Sequence, residues 1–245
     1  MERCRLDQSL VDRGLAESRE KAQRLIRAGA IRVDGHPALK PGHRYPLDAA
    51  VERVREDPFV GRGGEKLEEA FRHFPLDVAG RSCLDVGAST GGFTDALLQH
   101  GAERVYAVDV GRAQLHPKLA ADPRVTVMDR CNARYLSPAL FPDRPSFAVV
   151  DVSFISLRLV LPAVKEVLCD GAEAVTLVKP QFEAERSEVG RGGIVREEAV
   201  RRRVRDEIRV FGEQSLGWKW RGDCAAPRKG PAANIEYLVY WRAEK

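Results

Sequence analysis

The chain has 245 residues, of which 44% are hydrophobic and 31% are charged, and its formal net charge at pH 7 is +4. This hydrophobic content excludes general disorder, and the length suits one ordinary domain with a smaller one beside it. No apolar run reaches the roughly 18 residues that cross a bilayer, the start lacks the apolar core of a secretion signal, and the five cysteines form no CxxC pair. We therefore expect a cytoplasmic protein with reduced thiols and no metal site.

The first fifty residues combine positive charge with short amphipathic elements. Residues 13–44 hold eight Arg or Lys against three acids. Residues 6–15 form one amphipathic stretch, and Ser18 then caps a second helix whose apolar face is formed by Ala22, Leu25 and Ile26. Gly29 ends this helix, and residues 31–35 are typical of a strand that enters a tight turn.

Arginines on the outer face of that helix give a surface suited to phosphates, although a solvated charged face is the open alternative. The landmarks Arg5-Leu6-Asp7, Gly14-Leu15, Ser18-Arg19 and Lys40-Pro41 follow one another in an order that resembles the S4 RNA-binding domain. The resemblance implies a small α+β domain over residues 1–57 that binds folded RNA mainly through the RNA backbone. The expected RNA contacts are Arg5, Arg19, Lys21, Arg24 and Arg27, together with Arg62 just beyond the domain.

A linker over residues 58–61 leads into a second domain that we place at 62–245. Pro58 ends regular structure, and glycines surround Arg62. Apolar residues then recur at a spacing of three to four between Leu67 and Phe74, which predicts a helix at the start of the second domain.

Residues 84–93, Leu-Asp-Val-Gly-Ala-Ser-Thr-Gly-Gly-Phe, are the most informative segment of the chain. A strand containing Asp85 enters a glycine-rich turn and then a helical pattern over 93–98, so the backbone and the helix N–H groups can approach a ligand closely. A second strand, over 104–108, ends in Asp109, where the ribose hydroxyls of a nucleotide-type ligand are held. The glycine spacing differs from GxGxxG and fits S-adenosylmethionine (SAM) better than a dinucleotide; a tight turn without a ligand is the alternative.

Further strands are predicted over 125–128, 147–150, 174–178 and 237–240, with helical patterns between them. Because these strands are almost continuously apolar, we expect a doubly wound, Rossmann-like parallel sheet covered by helices on both faces. The basic run at 201–205 alternates with acids and is typical of a solvated helix face, with RNA contact as a second possibility.

Four residues of the second domain carry a hypothesis about its chemistry. Asp151 and Lys179 each follow a predicted strand, Lys66 opens the first helix, and Glu236 precedes the last strand. Ligands of open α/β sheets bind beyond the carboxyl ends of the strands, so these side chains are expected to converge there. A lysine that takes a proton from a sugar hydroxyl needs desolvation or a second cation nearby, and Lys66 is suited to be that cation.

The whole chain resembles the TlyA (haemolysin-A) family of RNA methyltransferases, in which an S4 domain precedes an FtsJ-like methyltransferase domain. The matching motifs are Arg62-Gly63-Gly64-x-Lys66-Leu67, residues 83–95, 105–111, 151–157 and 178–183, Val189-Gly190-x-Gly192-Gly193, and Gly230-Pro231-x-x-Asn234-x-Glu236-Tyr237. The resemblance implies SAM-dependent 2′-O-methylation of a ribose, of cytidine, in ribosomal RNA, with Lys66, Asp151, Lys179 and Glu236 as the reacting residues.

The same resemblance implies contacts with SAM from the glycine turn and from the loops after the next two strands. Together with Asp85 at the end of the first strand, the expected cofactor residues are Gly87, Ser89, Thr90, Gly91, Phe93, Asp109, Asp129 and Asn132. The chain departs from the usual family pattern at Gly61, where serine is typical, and at Asp129 and Cys131, within a motif that usually reads Glu-Arg-Thr-Asn. Asp129 keeps the carboxylate but shortens its reach.

Other functions remain as alternatives to this interpretation. The chain would also suit an RNA-binding factor for ribosome assembly that retains a vestigial methyltransferase fold. Base methylation is less well matched, because Asp151-Val152-Ser153-Phe154 replaces the motif of adenine N6 enzymes and no cysteine follows a catalytic strand end. Pore formation lacks a membrane span or secretion signal. The expected partners are ribosomal RNA or ribosomal subunits, with a monomeric protein and no membrane.

Overall fold

The computed structural model describes residues 2–27, 29–54, 58–228, 230 and 233–243. Residues 55–57 of the predicted first domain and Pro231 of the tail motif lie outside the described residues. The chain divides into two compact units, residues 1–58 and residues 59–245, and each is considered by itself.

The N-terminal unit is a small α+β fold. Its elements are β1 (Arg3–Arg5), α1 (Leu6–Asp12), α2 (Arg19–Arg27), β2 (Ile31–Val33), β3 (His36–Pro37), β4 (Arg44–Pro46) and β5 (Val51–Arg53). β1 pairs with β4, and β2 lies between β3 and β5, with all these pairs antiparallel. The predicted helix is confirmed: the Lys21 N–H donates to the Ser18 Oγ at 3.2 Å, and the face formed by Ala22, Leu25 and Ile26 is buried.

The C-terminal unit is built on a seven-stranded sheet. Its strands are β6 (Ser82–Val86), β7 (Arg104–Val108), β8 (Val125–Met128), β9 (Phe147–Val150), β10 (Glu173–Val178), β11 (Trp218–Ala225) and β12 (Tyr237–Ala243). Its α-helices are α3 (Gly63–His73), α4 (Gly92–Gln99), α5 (Pro117–Ala120), α6 (Leu157–Val167), α7 (Pro180–Glu183) and α8 (Glu198–Leu216). The strand order is β11-β12-β10-β9-β6-β7-β8.

Alternation along the central strands divides the core between the two faces of the sheet. On β9, Ala148 and Val150 pack with α6 and α8, whereas Phe147 and Val149 pack with α3 and α4. Since a strand covered on both faces has no polar face, its sequence is a continuous apolar run. The predicted doubly wound architecture, with helices on both faces of the sheet, is confirmed.

The five strands from β8 to β10 in the sheet order are parallel, whereas the two strands beyond β10, β12 and β11, pair antiparallel. β12 runs antiparallel to β10, and β11 runs antiparallel to β12. The predicted strands over 104–108, 125–128 and 147–150 agree with β7, β8 and β9, whereas β11 was not predicted. Because β12 is antiparallel to β10, its start lies at the same edge of the sheet as the end of β10.

The basic run at 201–205 lies on α8 and is tied to acids of the same unit. Arg202 pairs with Glu198 at 2.7 Å, and Arg203 pairs with Glu207 at 2.6 Å. The expectation of a solvated helix face with alternating charges is confirmed. Among the described helices, none is long and apolar enough to cross a membrane.

Candidate active site

The four predicted reacting residues meet at the carboxyl edge of the sheet. Asp151 follows β9, Lys179 follows the adjacent β10, and their side chains pair with Nζ 2.5 Å from Oδ1. Lys66 on α3 places its Nζ 2.8 Å from Oε2 of Glu236 and 3.8 Å from Oδ2 of Asp151. The result is a continuous chain of alternating charge from Lys179 through Asp151 and Lys66 to Glu236.

Two neutral side chains extend this chain of charges at its ends. The Lys179 ammonium donates to the Ser153 Oγ at 2.8 Å, and the Gln181 amide donates to Oε1 of Glu236 at 3.1 Å. Neither residue was among the candidate site residues predicted from the sequence. Both stand two positions after a predicted reacting residue and lie within the motifs, residues 151–157 and 178–183, that carry the family resemblance.

The cluster is sheltered but open to a substrate. Lys179 is the most buried member, with 8% of its side chain exposed, and its Nζ also lies 5.9 Å from the centre of the Phe182 ring. Asp151, Lys66 and Glu236 are each partly exposed. An ion pair in such a place is screened less by salt than a pair on the surface.

Phe154 stands beside the cluster in an unusual conformation. Its backbone φ is +64°, and 91% of the residue is exposed. A left-handed conformation costs a bulky residue about 1–3 kcal/mol and typically marks a functional position. The ring centre lies 5.1 Å from that of Phe182. No role for Phe154 follows from the sequence alone, because backbone strain of this kind leaves no mark on a single sequence.

The glycine-rich turn is shaped by close backbone approach. Gly87 has φ +87°, and a Cβ at this position would lie 2.6 Å from the carbonyl oxygen of Asp151. Gly91, at φ +93°, directly precedes α4. These two positions need glycine for conformation, and Gly91 also needs it for space, because a Cβ there would overlap the side chains of Leu115 and Leu119.

Three polar residues line the next two strand ends along the same edge. Asp109, after β7, accepts the Ser89 N–H at 2.8 Å on one oxygen and the Gly111 N–H at 2.7 Å on the other. Asp129, after β8, accepts the Ala113 N–H at 2.7 Å, and Asn132 accepts the Arg134 N–H at 3.1 Å. These side chains hold the loops in place, and the carboxylates retain further acceptor capacity.

Asp85 and Phe93 lie beneath the turn rather than on its surface. Asp85 is fully buried, and its Oδ2 accepts from Thr94 Oγ1 at 2.6 Å, while its Oδ1 has no partner within the described part of the chain. Burial raises the pKa of Asp85 to about 7. Phe93 packs in the core against α3. Both side chains therefore support the turn from within, and the prediction from the sequence that they face the cofactor is wrong.

Two of the expected RNA contacts in the N-terminal unit, Arg5 and Arg19, bind a buried carboxylate. Arg5 donates two hydrogen bonds to the buried carboxylate of Asp7, at 2.9 and 2.8 Å, and Arg19 lies 3.3 Å from the same group. The Arg5 guanidinium holds the pKa of Asp7 well below its usual range. The two arginine side chains remain 46% and 52% exposed. Arg24 and Arg27 lie on the same helix, α2, and are not bound to Asp7.

The sequence and the structure are both similar to those of known methyltransferases. Residues 59–243 match the model of FtsJ-like methyltransferases, and residues 4–51 match the S4 domain. Over 245 residues the chain is 46% identical to the 16S/23S rRNA (cytidine-2′-O)-methyltransferase TlyA of Mycobacterium tuberculosis, an alignment that covers 99% of this chain and 91% of that protein. It is 42% identical over 238 residues to hemolysin A of Brachyspira hyodysenteriae, with 97% and 99% covered.

A solved structure extends the similarity to three dimensions. The structure of a "putative hemolysin" from Streptococcus thermophilus superposes with a TM-score of 0.78 at 42% identity, covering 100% of this chain and 90% of that one. The similarity therefore includes both units of the chain.

Proposed function

From the premise that this chain belongs to the FtsJ-like methyltransferase family and carries an S4 domain, we propose that it transfers a methyl group from SAM to the 2′-hydroxyl of a cytidine in ribosomal RNA. The observation that carries the proposal is the chain of charges from Lys179 through Asp151 and Lys66 to Glu236. The domains are assigned as an S4 domain over 1–57, a linker over 58–61 and the catalytic domain over 62–245, in a cytoplasmic monomer.

The residues at the carboxyl edge fit SAM. Asp109 has acceptor capacity left for a ribose diol, and the turn between β6 and α4, where Ser89 and Thr90 are exposed, suits the amino-acid part. The polar side chains of Asp129 and Asn132 suit the edge of an adenine, and Val110 beside them is an exposed apolar side chain that suits its face. When bound, SAM supplies an electrophilic methyl group on a positively charged sulfur.

The charged cluster suits removal of a proton from a sugar hydroxyl. In its neutral form the Lys179 amine accepts the proton of the 2′-hydroxyl, so that the oxygen forms its new bond to the methyl carbon as the bond from sulfur to carbon breaks. Asp151 and Ser153 fix the direction of the amine. Lys66, held by Glu236, places a positive charge where the oxygen becomes negative.

The surroundings of the cluster suit RNA. The exposed ring of Phe154 lies against Phe182, whose ring centre is 5.9 Å from the Lys179 Nζ, and it can stack with an unpaired base, which is how proteins commonly hold single nucleotides. Stacking would bring the ribose of that nucleotide towards the cluster. The basic face of the N-terminal unit supplies phosphate contacts, for which Lys21, Arg24 and Arg27 are our candidates, with Arg5 and Arg19 shared between RNA and Asp7. Arg62 is a further candidate in the C-terminal unit.

A catalytically inactive RNA-binding factor is not favoured. Such a protein would have no need to keep two oppositely charged pairs in register at a strand edge, since buried and half-buried ion pairs contribute little to stability. The candidate cofactor turn and the four-residue cluster are both complete in this chain.

Transfer of a labelled methyl group from SAM to ribosomal subunits tests the proposal. We expect incorporation by the wild-type protein and none above background by Lys179→Ala. Lys165→Ala is the matched control, because Lys165 is an exposed lysine on α6. Subunits that remain unlabelled by a folded, SAM-binding wild-type protein would point to the inactive RNA-binding factor instead.

A further inference from the structure

Two short segments contact each other at successive points beside the candidate active site. The segment 151–157 follows β9, and the segment 179–183 follows β10 and includes α7. Asp151 and Ser153 bind Lys179, Phe154 contacts Phe182, and the start of α6 binds Glu183. The exposed Phe154 thus stands between two anchors, one at Ser153 and one at Glu183.

The second anchor is a carboxylate with two donors. The Ser156 hydroxyl donates to Oε2 of Glu183 at 2.5 Å, and the Leu157 N–H donates to Oε1 at 2.7 Å. Ser156 also caps α6 by accepting the Arg158 N–H, so Glu183 adds a bond from outside the helix to its first turn. Free N–H groups and the helix dipole favour a carboxylate at this position.

Phe154 needs such anchors to keep its conformation. A phenylalanine at φ +64° with its ring in solvent gains no burial that would hold it there, so the neighbouring residues must impose the backbone conformation. The first anchor uses Lys179, which the reaction needs. Glu183 contacts none of the four residues of the charged cluster in the described hydrogen bonds and ion pairs.

We propose that Glu183 is a positioning residue for the RNA acceptor: it holds the segment 151–157 so that the Phe154 ring presents the target nucleotide to Lys179. This inference rests on the proposed function. It assigns to Glu183 an effect on the use of RNA and none on the binding of SAM, because the glycine turn and Asp109 lie on other loops.

A double-mutant cycle with Phe154→Ala separates positioning from a purely structural role. We expect Glu183→Ala to raise the KM for ribosomal RNA about tenfold or more at saturating SAM, with an unchanged Kd for SAM. In the Phe154→Ala background the same change is expected to alter KM less than twofold, since Glu183 acts through that ring. In Glu183→Gln the amide oxygen can still accept from the Leu157 N–H, and the amide NH2 can donate to the Ser156 hydroxyl. This variant is therefore expected to retain most of the activity.

Glu173→Ala is the matched control. Glu173 is also a partly buried carboxylate with two donors, Arg81 and Tyr240, but it begins β10 at the opposite edge of the sheet. Glu173→Ala is expected to lower Tm without changing the KM for RNA. If Glu183→Ala does not fold, Ser156→Ala takes its place in the double-mutant cycle with Phe154→Ala, because it removes one of the two hydrogen bonds to Glu183. We then expect a smaller rise in the KM for RNA that again depends on the Phe154 ring.

Equal effects of Glu183→Ala with and without the Phe154 ring would overturn the inference, as would the same KM change in Glu173→Ala. Either result with an active wild-type enzyme leaves the proposed function standing. A wild-type protein that binds SAM but transfers no methyl group to ribosomal RNA would instead overturn the proposed function and this inference with it.

Discussion

One carboxylate, that of Asp151, bridges two lysines: its Oδ1 lies 2.5 Å from Nζ of Lys179 and its Oδ2 lies 3.8 Å from Nζ of Lys66. The two ammonium groups are thereby held at one place although their residues are 113 positions apart in the chain (179 − 66). Asp151 is the member of the cluster that fixes both the proposed base and the proposed cation.

Substitution of Lys179 tests its role as a base. We expect Lys179→Ala to retain SAM and RNA binding while methyl transfer falls roughly 10²–10⁴-fold, the usual effect of losing a general acid–base group. Lys179→Arg is expected to fail as well, because a guanidinium stays protonated and cannot accept a proton. Single-turnover methyl transfer measures both. Near-normal turnover by Lys179→Arg would make this residue an electrostatic group and leave proton removal to Asp151 or water.

The assignment of Asp109 to the cofactor ribose predicts a loss of SAM affinity. We expect Asp109→Ala to weaken binding by about 1.5–3 kcal/mol, the magnitude of a lost hydrogen bond to a charged group. Isothermal titration calorimetry measures the change. Asp122→Ala is the control, since Asp122 lies before β8 at the opposite edge of the sheet and pairs with Arg124. Wild-type affinity in Asp109→Ala would remove the assignment.

The buried Asp85 makes the stability of the C-terminal unit depend on pH. Burial raises its pKa from 3.8 to about 7, so between these values the folded state holds a proton that the unfolded state has lost. The contribution of Asp85 to the free energy of unfolding is therefore highest below pH 4, where both states are protonated. It falls by up to about 4 kcal/mol as the pH rises from 4 towards 7. Urea unfolding at several pH values is expected to show this fall in the wild type and a flatter profile in Asp85→Asn. Parallel profiles would contradict the assignment.

The basic residues of the N-terminal unit are expected to separate into two groups. Arg24→Gln with Arg27→Gln is expected to weaken RNA binding and to lower the salt slope by roughly one for each phosphate that is no longer bound, without loss of thermal stability. Arg5→Gln is expected to lower Tm, because it removes both hydrogen bonds to the buried carboxylate of Asp7. Filter binding at several salt concentrations and thermal unfolding distinguish them. An unchanged slope in the double variant would place the RNA-binding face elsewhere.

The sequence predicted the parts of the fold in which local pattern and burial agree. Strands β7 and β9 appear in the sequence as short apolar runs, and the core on both faces of the sheet explains why. β11 was missed because it is an edge strand, and Lys219, Arg221, Gly222 and Asp223 interrupt its apolar residues. Its antiparallel pairing with β12 cannot be deduced from alternating strand and helix patterns.

The candidate site was predictable where residues follow strand ends, and not where it depends on contacts between segments. Asp151 and Lys179 were named because parallel neighbours end at one edge. The bonds of Gln181 and Glu183 join residues far apart in the chain, and the positive φ of Phe154 is imposed by its surroundings. The structural role of Arg5 likewise depends on the burial of Asp7, which a charge count does not reveal.

Nucleoside analysis of ribosomal RNA after incubation with SAM bearing a deuterated methyl group tests the central claim most directly. We expect mass spectrometry to find the label on the ribose of 2′-O-methylcytidine with the wild-type protein and to find none with Lys179→Ala. Label on a base, or label on the ribose at the wild-type level with Lys179→Ala, would contradict methyl transfer to a 2′-hydroxyl by this cluster.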